Sequence, residues 1–259
     1  MKKLLVGLAS AALLSAAFFA GCKHDNQAPM GPGIPVGTPT DSPTPADTAT
    51  PQAAQTPVNL LSATGFAALA YTTITNTGAT TLCGDLGLSP GSAVVGAPVV
   101  SCGGVYHVTD SAAASAKVDL AAAYTDAGGR INPALVAGDL AGQTLYPGLY
   151  KSTSSLEISA GDLTLDAQGD PNGVFIFQVA STLSTQPNRQ VHLAGGAKAA
   201  NVYWQVGSSC SLATGTLFVG TIMAHTQINL ELGAQLEGRA LSEIEQVTFK
   251  TNRVTLPAP

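Results

Sequence analysis

The chain has 259 residues, a net charge of −5 and only 10% charged residues. This length allows one large domain with accessory segments, and the lack of a basic patch argues against a nucleic-acid partner. An apolar fraction of 45% with 28 glycines argues against a disordered chain and favours a thin core built from small residues.

The first 21 residues have the layout of an export signal. Two lysines precede an apolar run from Leu4 to Ala17, and Phe18-Phe-Ala-Gly-Cys22 follows. The run is too short for a comfortable membrane span and ends in small residues, as secretory signals do. The final cysteine makes it resemble a bacterial lipoprotein signal, which implies a lipid on Cys22 that holds the protein at a membrane. An ordinary signal peptide is the alternative. Lys23, rather than Asp, favours the outer membrane of a two-membrane cell.

Residues 22–57 are predicted to form a linker behind the lipidated cysteine. The segment is dense in Pro, Thr, Asp and Ala, a composition that cannot bury a core and stays extended. The sequence therefore predicts three parts, namely a signal over 1–21, a spacer over 22–57 and a folded domain over 58–259, with the domain exported and facing outside.

The first part of the domain is predicted to be β. Strand regions begin at Phe66 and Thr80, and residues 91–108 are expected to be an irregular excursion rich in Gly, Val and Ser. After the helix described next, residues 131–150 are expected to be a second irregular excursion.

One convincing helix is predicted over about 111–127. Either Thr109 or Asp110 can cap its start, and Gly128-Gly129 can end it. Its apolar stripe consists mainly of alanines, so the helix should lie close against a flat sheet. The solvated side is predicted to carry Lys117 and Asp119.

The stretch from Gly173 to Leu256 reads as a series of short strands. The segments are β-branched or aromatic and alternate in polarity, and Gly, Ser, Asn and Ala separate them. Such short, closely spaced strands favour a sandwich, a barrel or a solenoid.

No residue set predicts catalysis or a metal site. Gly87-Leu-Ser-Pro-Gly91 matches a hydrolase nucleophile motif, but the residue after Ser89 must donate a backbone N–H and Pro90 has none. The histidines are not spaced as ligand pairs, and the calcium-like loop from Asp166 lacks its closing Glu. We therefore predict a non-enzyme without cofactor or metal. The four histidines are His24, His107, His192 and His225.

The cysteines have separate expected roles. An exported chain meets oxidising conditions, so a disulfide between Cys83 and Cys102 is expected. Cys210 is then left over, and its Ser-rich surroundings suit a small buried core thiol.

In the order and spacing of its motifs, the chain resembles the bacterial and fungal ice-binding proteins with a discontinuous β-solenoid, over about residues 58–256. The resemblance implies a right-handed solenoid of triangular section, with one long helix alongside and the first strand inserted between later coils. It also implies a protein, most simply a monomer, that adsorbs to ice. The motifs include Gly84-Asp-Leu-Gly-Leu-Ser-Pro-Gly, Leu145-Tyr-Pro-Gly-Leu-Tyr-Lys, Val174-Phe-Ile-Phe-Gln-Val, Asn201-Val-Tyr-Trp-Gln-Val-Gly-Ser-Ser and Gly238-Arg-Ala-Leu.

The resemblance places function on one flat face, where the family carries Thr-(Ala/Gly)-x-(Thr/Asn) steps. Matching steps here begin at Thr72, Thr226 and Glu245, with Cys210-Ser-Leu-Ala a fourth candidate. If Ile74 and the equivalent residues point inward, alternate neighbours point outward. The predicted face comprises Thr72, Thr73, Thr75, Ser211, Thr226, Gln227, Asn229, Gln246 and Thr248.

The face departs from the family pattern. The Ala/Gly positions hold Thr73, Gln227 and Gln246, which are larger and more mobile, and Glu245 replaces a threonine. These changes predict modest ice affinity or another ligand. The alternative function is a cell-surface adhesion or envelope module that binds a polymer or partner protein. A grooved or charged face with exposed Tyr203 and Trp204 would favour this alternative.

Overall fold

The computed structural model describes residues 52–258. The expected signal, the lipidation at Cys22 and the linker up to residue 51 lie outside these residues. Within them the chain is mostly β, with helix α1 over Ser111–Gly129 and short 3-10 turns over Leu61–Gly65 and Ala199–Asn201. The strands are β1 Phe66–Ala70, β2 Thr73–Thr77, β3 Thr81–Cys83, β4 Asp85–Leu88, β5 Ala93–Val95, β6 Val99–Ser101, β7 Tyr106–Val108, β8 Ala134–Leu135, β9 Thr144–Leu145, β10 Gly148–Ser152, β11 Leu156–Ile158, β12 Leu163–Asp166, β13 Phe175–Val179, β14 Leu183–Thr185, β15 Val191–Ala194, β16 Val202–Val206, β17 Cys210–Leu212, β18 Leu217–Ala224, β19 Ile228–Leu230, β20 Gln235–Ser242, β21 Val247–Lys250 and β22 Arg253–Thr255.

Strand pairing in the described part of the chain is parallel and repeats coil after coil. In one row Leu149 of β10 faces Ile176 of β13, which faces Tyr203 of β16. Between two strands of one row the chain passes through the other sheets, so the coils stack on one another. Three sheets result, of twelve, seven and three strands.

The order of coils is not the order of the sequence. The seven-stranded sheet runs β11-β14-β17-β19-β21-β2-β5, which places the first coil beside the last. In the twelve-stranded sheet β1 pairs with β20 on one side and with β4 on the other. The expected insertion of the first strand between later coils is thus confirmed, because both neighbours of β1 come later in the chain.

Two long strands pass a bend at stacked glycines. Gly220 of β18 and Gly238 of β20 are register partners. A Cβ placed on Gly238 would lie 1.9 Å from the Gly220 carbonyl oxygen. Only glycine allows the two backbones to approach this closely, and the bend lets one strand serve two sides of the coil.

The interior of the stack holds a row of aromatic rings. Phe177 stacks on Trp204 with centroids 4.0 Å apart, and Tyr150 and Phe218 flank the pair. Trp204 is fully buried, and its indole nitrogen donates to the carbonyl of Val219 at 3.0 Å. The buried indole is therefore both packed and hydrogen-bonded, as a core tryptophan requires.

Helix α1 confirms the predicted position and small-residue stripe, but its end differs. The side chain of Asp110 caps the start by accepting from the Ala113 N–H. The helix continues through Gly128 and Gly129, so these glycines do not terminate it. Instead, buried Gln178 on β13 donates to the carbonyls of Ala127 (2.9 Å), Gly128 and Arg130. This side chain satisfies carbonyls that a helix end leaves open.

The prediction of a solvated side was wrong for Lys117, whose ammonium is largely buried, whereas the carboxylate of Asp119 remains at the surface. The ammonium of Lys117 donates to the carbonyls of Ser242 and Glu243 at the end of β20. The carboxylate of Asp119 accepts from both the backbone and the hydroxyl of Ser62. The two side chains tie the helix to the strand and to the first 3-10 turn.

The irregular excursion expected over residues 91–108 contains β5, β6 and β7, and the one expected over 131–150 contains β8, β9 and the start of β10. The disulfide predicted between Cys83 and Cys102 is present and joins β3 to the turn after β6. Cys210 is free and buried, as predicted, and burial raises the pKa of its thiol.

The last residues of the predicted linker lie against the domain. The side chain of Gln52 donates to the carbonyl of Leu149 at 2.6 Å. The guanidinium of Arg130 donates to the carbonyls of Thr56 and Pro57 and pairs with Asp126 at 2.7 Å. Residues 52–57 therefore belong to the packed structure.

Candidate functional site

The seven-stranded sheet has a polar outer surface over an apolar inner one. Ile74, Ile228 and Val247, expected to point inward, are fully buried. Their outward neighbours are half-buried. The sheet therefore alternates as predicted, with hydrocarbon toward the core and side-chain amides and hydroxyls toward solvent.

We call this surface the outer face and define it by two columns of residues that run across the strands. Strand register fixes the second of these columns, because Ser211, Asn229, Thr248 and Thr75 are successive register partners on adjacent strands. The first column is Ser155, Thr182, Ser209, Gln227, Gln246, Thr73 and Ala93, and the second is Glu157, Ser184, Ser211, Asn229, Thr248, Thr75 and Val95.

The structure brings seven of the nine predicted face residues together on these columns. They are Thr73, Thr75, Ser211, Gln227, Asn229, Gln246 and Thr248. The other two, Thr72 and Thr226, lie at the bends before β2 and β19 and border the outer face.

The two glutamines are held rather than free. Thr73 donates its hydroxyl to the side-chain oxygen of Gln246 at 3.4 Å, and the Gln246 amide nitrogen donates to Gln227 at 3.3 Å. Both glutamines are half-buried. The structure thus links Thr73, Gln246 and Gln227 along the first column, while the greater mobility expected of the glutamines stays a prediction.

One charged residue, Glu157, lies in the second column at its β11 end, and the other charges near the outer face lie beside the columns. Glu245 is exposed at the bend two residues before β21, and its backbone carbonyl accepts from Tyr71 and Thr72. The sequence suggested that Glu245 occupies the flat face, whereas the structure places it at the border of that face. Beyond the second column, Lys250 pairs with Glu231 at 2.7 Å.

Several outer-face residues escaped the sequence analysis because they do not follow the Thr-x-x-Thr pattern. The signal that could have found them is the alternation in Leu156-Glu-Ile and Leu183-Ser-Thr, where a large apolar residue precedes a polar one. A side-chain hydrogen bond of 2.8 Å already links Thr182 to Ser155 in the first column. The missed residues are Ser155, Glu157, Thr182, Ser184, Ser209, Ala93 and Val95.

Other polar clusters have structural explanations. His107 lies 2.7 Å from Asp110, and that carboxylate also caps α1. The carboxylate of Asp110 accepts a hydrogen bond from the backbone N–H of Ala113 and is hydrogen-bonded to His107. Both contacts lower the pKa of Asp110, the one to Ala113 more strongly. In residues 52–258 no group of three or more His, Cys, Asp or Glu side chains is arranged to hold a metal ion.

Two further observations concern membrane insertion and aromatic exposure in the described part of the chain. No helix between residues 52 and 258 combines the length and apolarity needed to cross a bilayer. Tyr203 and Trp204, whose exposure would favour a sugar- or protein-binding face, are both buried.

Comparison with known proteins gives a consistent result. The chain matches the ice-binding-like family over residues 68–255. An ice-binding protein of Nostoc sp. (strain HG1) is 43% identical over 196 residues, which cover 75% of this chain and 72% of that protein. An ice-binding protein of Flavobacterium frigoris (strain PS1) is 36% identical, with 77% of this chain and 76% of that protein covered.

The fold agrees with the sequence. A crystal structure of an ice-binding protein from an Antarctic biological consortium matches with a TM-score of 0.78 at 48% identity, covering 82% of this chain and 97% of that one. Parallel sheets with a single helix in the described residues are thus an architecture that ice-binding proteins have. Since the match spans most of the folded chain and two relatives exceed 30% identity over three quarters of it, the chain belongs to the ice-binding-like family.

Proposed function

We propose that the protein binds ice through the outer face and has no catalytic role. The observation that carries this proposal is the register of the second column, in which Ser211, Asn229, Thr248 and Thr75 follow one another on adjacent strands. Short polar side chains are thereby repeated at the strand spacing on a sheet whose underside is mostly apolar, with Asn76 and Thr185 as its buried polar residues.

The geometry suits adsorption to a lattice. Neighbouring strands lie about 4.8 Å apart and alternate residues about 6.7 Å apart. Hydroxyls, amides and methyl groups on such a grid can order water into an ice-like layer. Because the face is already rigid, many weak contacts can form together with little loss of conformational freedom. Adsorption by this route needs neither a pocket nor a net charge.

The adhesion alternative has less support. A sugar- or protein-binding face would present aromatic or charged side chains, whereas Tyr203 and Trp204 are buried and the Lys250–Glu231 pair lies beyond the second column. Hydrogen-bonded glutamines further favour a fixed surface over an adaptable one.

The finer features of fold and placement belong to the same proposal. We take the stack to be a right-handed solenoid of triangular section, in keeping with the three sheets. A lipid on Cys22 would anchor the exported protein, most simply a monomer, to the outer membrane with the domain facing outward. The protein would then limit crystal growth near the cell or attach the cell to ice.

Thermal hysteresis and ice recrystallisation inhibition test the proposal. The full chain is compared with a Thr75→Tyr/Thr248→Tyr variant, in which two rings stand on adjacent partners of the second column. We expect clear activity in the parent and its loss in the variant, because rings on the face prevent close contact with a flat crystal.

A matched control uses the same substitution on another sheet. Thr144 and Thr164 are register partners on β9 and β12, so Thr144→Tyr/Thr164→Tyr should leave activity unchanged. An inactive but folded parent would rule out ice binding. Activity that survives in the first variant but not in the control would move the site to the three-stranded sheet.

A further inference from the structure

Arg239 on β20 is a buried cation without an anionic partner. It is 8% exposed. Its Nε donates to the carbonyl of Thr64 at 2.8 Å and its Nη1 to the hydroxyl of Thr221 at 3.2 Å. Both acceptors are neutral, and none of the ion pairs in residues 52–258 includes Arg239. A buried charge held this way is costly unless an anion completes it.

Arg239 lines a cleft between the two ends of the folded chain. The cleft has a volume of about 470 Å³, which suits a small molecule. One wall comes from the segment around Val58 and Leu60, and the opposite wall from Leu256 and Pro257. Most of this lining is hydrocarbon, and the guanidinium is its charged group, beside the polar side chains of Asn59, Thr64 and Tyr203.

Tyr203 reports the positive potential around the cleft. Its ring is 5% exposed and lines the cleft beside Arg239. Burial raises the pKa of Tyr203, while the positive charges of Arg239 and Arg130 lower it. Two cations therefore act at this position, although burial outweighs them and the pKa of Tyr203 is raised overall.

We propose that this cleft binds a small organic carboxylate. The planar guanidinium matches a carboxylate in a forked, charge-assisted pair. The short hydrocarbon part of the ligand would lie against Val58, Leu60 and Leu256. A phosphate fits less well, because it is more strongly hydrated and would leave the apolar lining without a partner.

Binding here would connect the N-terminal segment to the C-terminal one. The cleft forms only when residues 58–65 and 256–257 are both in place against β16 and β20. A ligand that binds only the folded chain raises its melting temperature, and the rise continues with the logarithm of the ligand concentration above the dissociation constant. The site lies away from the outer face, since its residues belong to neither column, so ligand binding should leave ice activity unchanged.

The test measures melting temperature and heat of binding for the full chain with sodium butyrate, at constant ionic strength and neutral pH. Sodium chloride and sodium phosphate serve as comparison salts. We expect a saturable heat of binding and a rising melting temperature with butyrate alone. Arg239→Lys keeps the positive charge but removes the planar group that can donate two parallel hydrogen bonds to a carboxylate. Ala200→Leu fills the cleft while leaving Arg239 in place. Each should weaken butyrate binding at least about tenfold.

The exposed Arg253, which has no ion-pair partner in the described residues, provides a control, because Arg253→Lys should bind butyrate like the parent. If Arg239→Lys does not fold, Ala200→Leu alone decides the matter. No saturable response to butyrate, an equal response to chloride or phosphate, or unchanged affinity in Ala200→Leu would each overturn the proposal.

Discussion

At the scale of single residues, the glutamines of the first column decide how the outer face behaves. Gln246 links Thr73 to Gln227 through two long side-chain hydrogen bonds. We predict that Gln246→Ala lowers thermal hysteresis, because Gln227 and the Thr73 hydroxyl lose their fixed positions. The free energy of unfolding should fall by less than about 1 kcal/mol, since both hydrogen bonds are weak and partly solvated.

Gln235→Ala is the matched control for that prediction. Gln235 is exposed on β20 and lies on neither column of the outer face, so both activity and stability should stay unchanged. Higher activity in Gln246→Ala would mean that amide bulk obstructs the face, as its sequence alone suggested.

Lys117 makes stability depend on pH. Burial lowers its pKa to about 8, with the charge of Glu243 acting in the opposite direction. An unfolded lysine has a pKa near 10.4, so between these values the folded chain binds fewer protons than the unfolded one. The free energy of unfolding should therefore rise with pH from about 8 to about 10, by at most about 3 kcal/mol.

Urea denaturation across this pH range, with Lys117→Met beside the parent, measures the effect. The variant lacks the titrating group and should lose the rise. Lys151→Met, on an exposed residue of β10, should keep it. A rise of equal size in Lys117→Met would assign the pH dependence to another group.

At the scale of elements, the end of α1 depends on one side chain from the sheet. Gln178 donates to three carbonyls at the helix end. We predict that Gln178→Leu lowers the free energy of unfolding by about 1–3 kcal/mol, because it leaves buried acceptors unsatisfied. Urea denaturation measures this, and Gln235→Leu at an exposed position should cost little. A cost in Gln178→Leu no larger than the control would show that water replaces the amide.

Helices and strands could be predicted from the sequence where the local pattern of apolar and polar residues determines them. The stripe of small residues and the cap at Asp110 located α1, and alternation located the strands after Gly173. The glycines at 128 and 129 misled because termination here comes from Gln178, which is distant in sequence and visible only in the fold. The short strands β5–β7 were missed since three residues carry too little alternation to stand out from a Gly-rich stretch.

At the scale of the molecule, the coil order could not be derived from periodicity. Nothing local in Phe66–Ala70 says that β1 pairs with β20, although all five residues are buried. Only the family resemblance implied a displaced first strand. The consequence for function is direct, because this displacement places Thr75 beside Thr248 and joins two distant segments into one outer face.

A face formed this way should act as one surface, and a series of single tyrosines tests that. Asn229 lies fourth of the seven residues in the second column, with Ser184 nearer one end. Asn229→Tyr should abolish most thermal hysteresis, because a central ring lifts the whole sheet from the crystal. Ser184→Tyr should remove a smaller part, and Thr164→Tyr on the three-stranded sheet none. A larger loss at Ser184 than at Asn229 would mean that ice contacts only the part of the column near β11, and a loss at Thr164 would place the contact on another sheet.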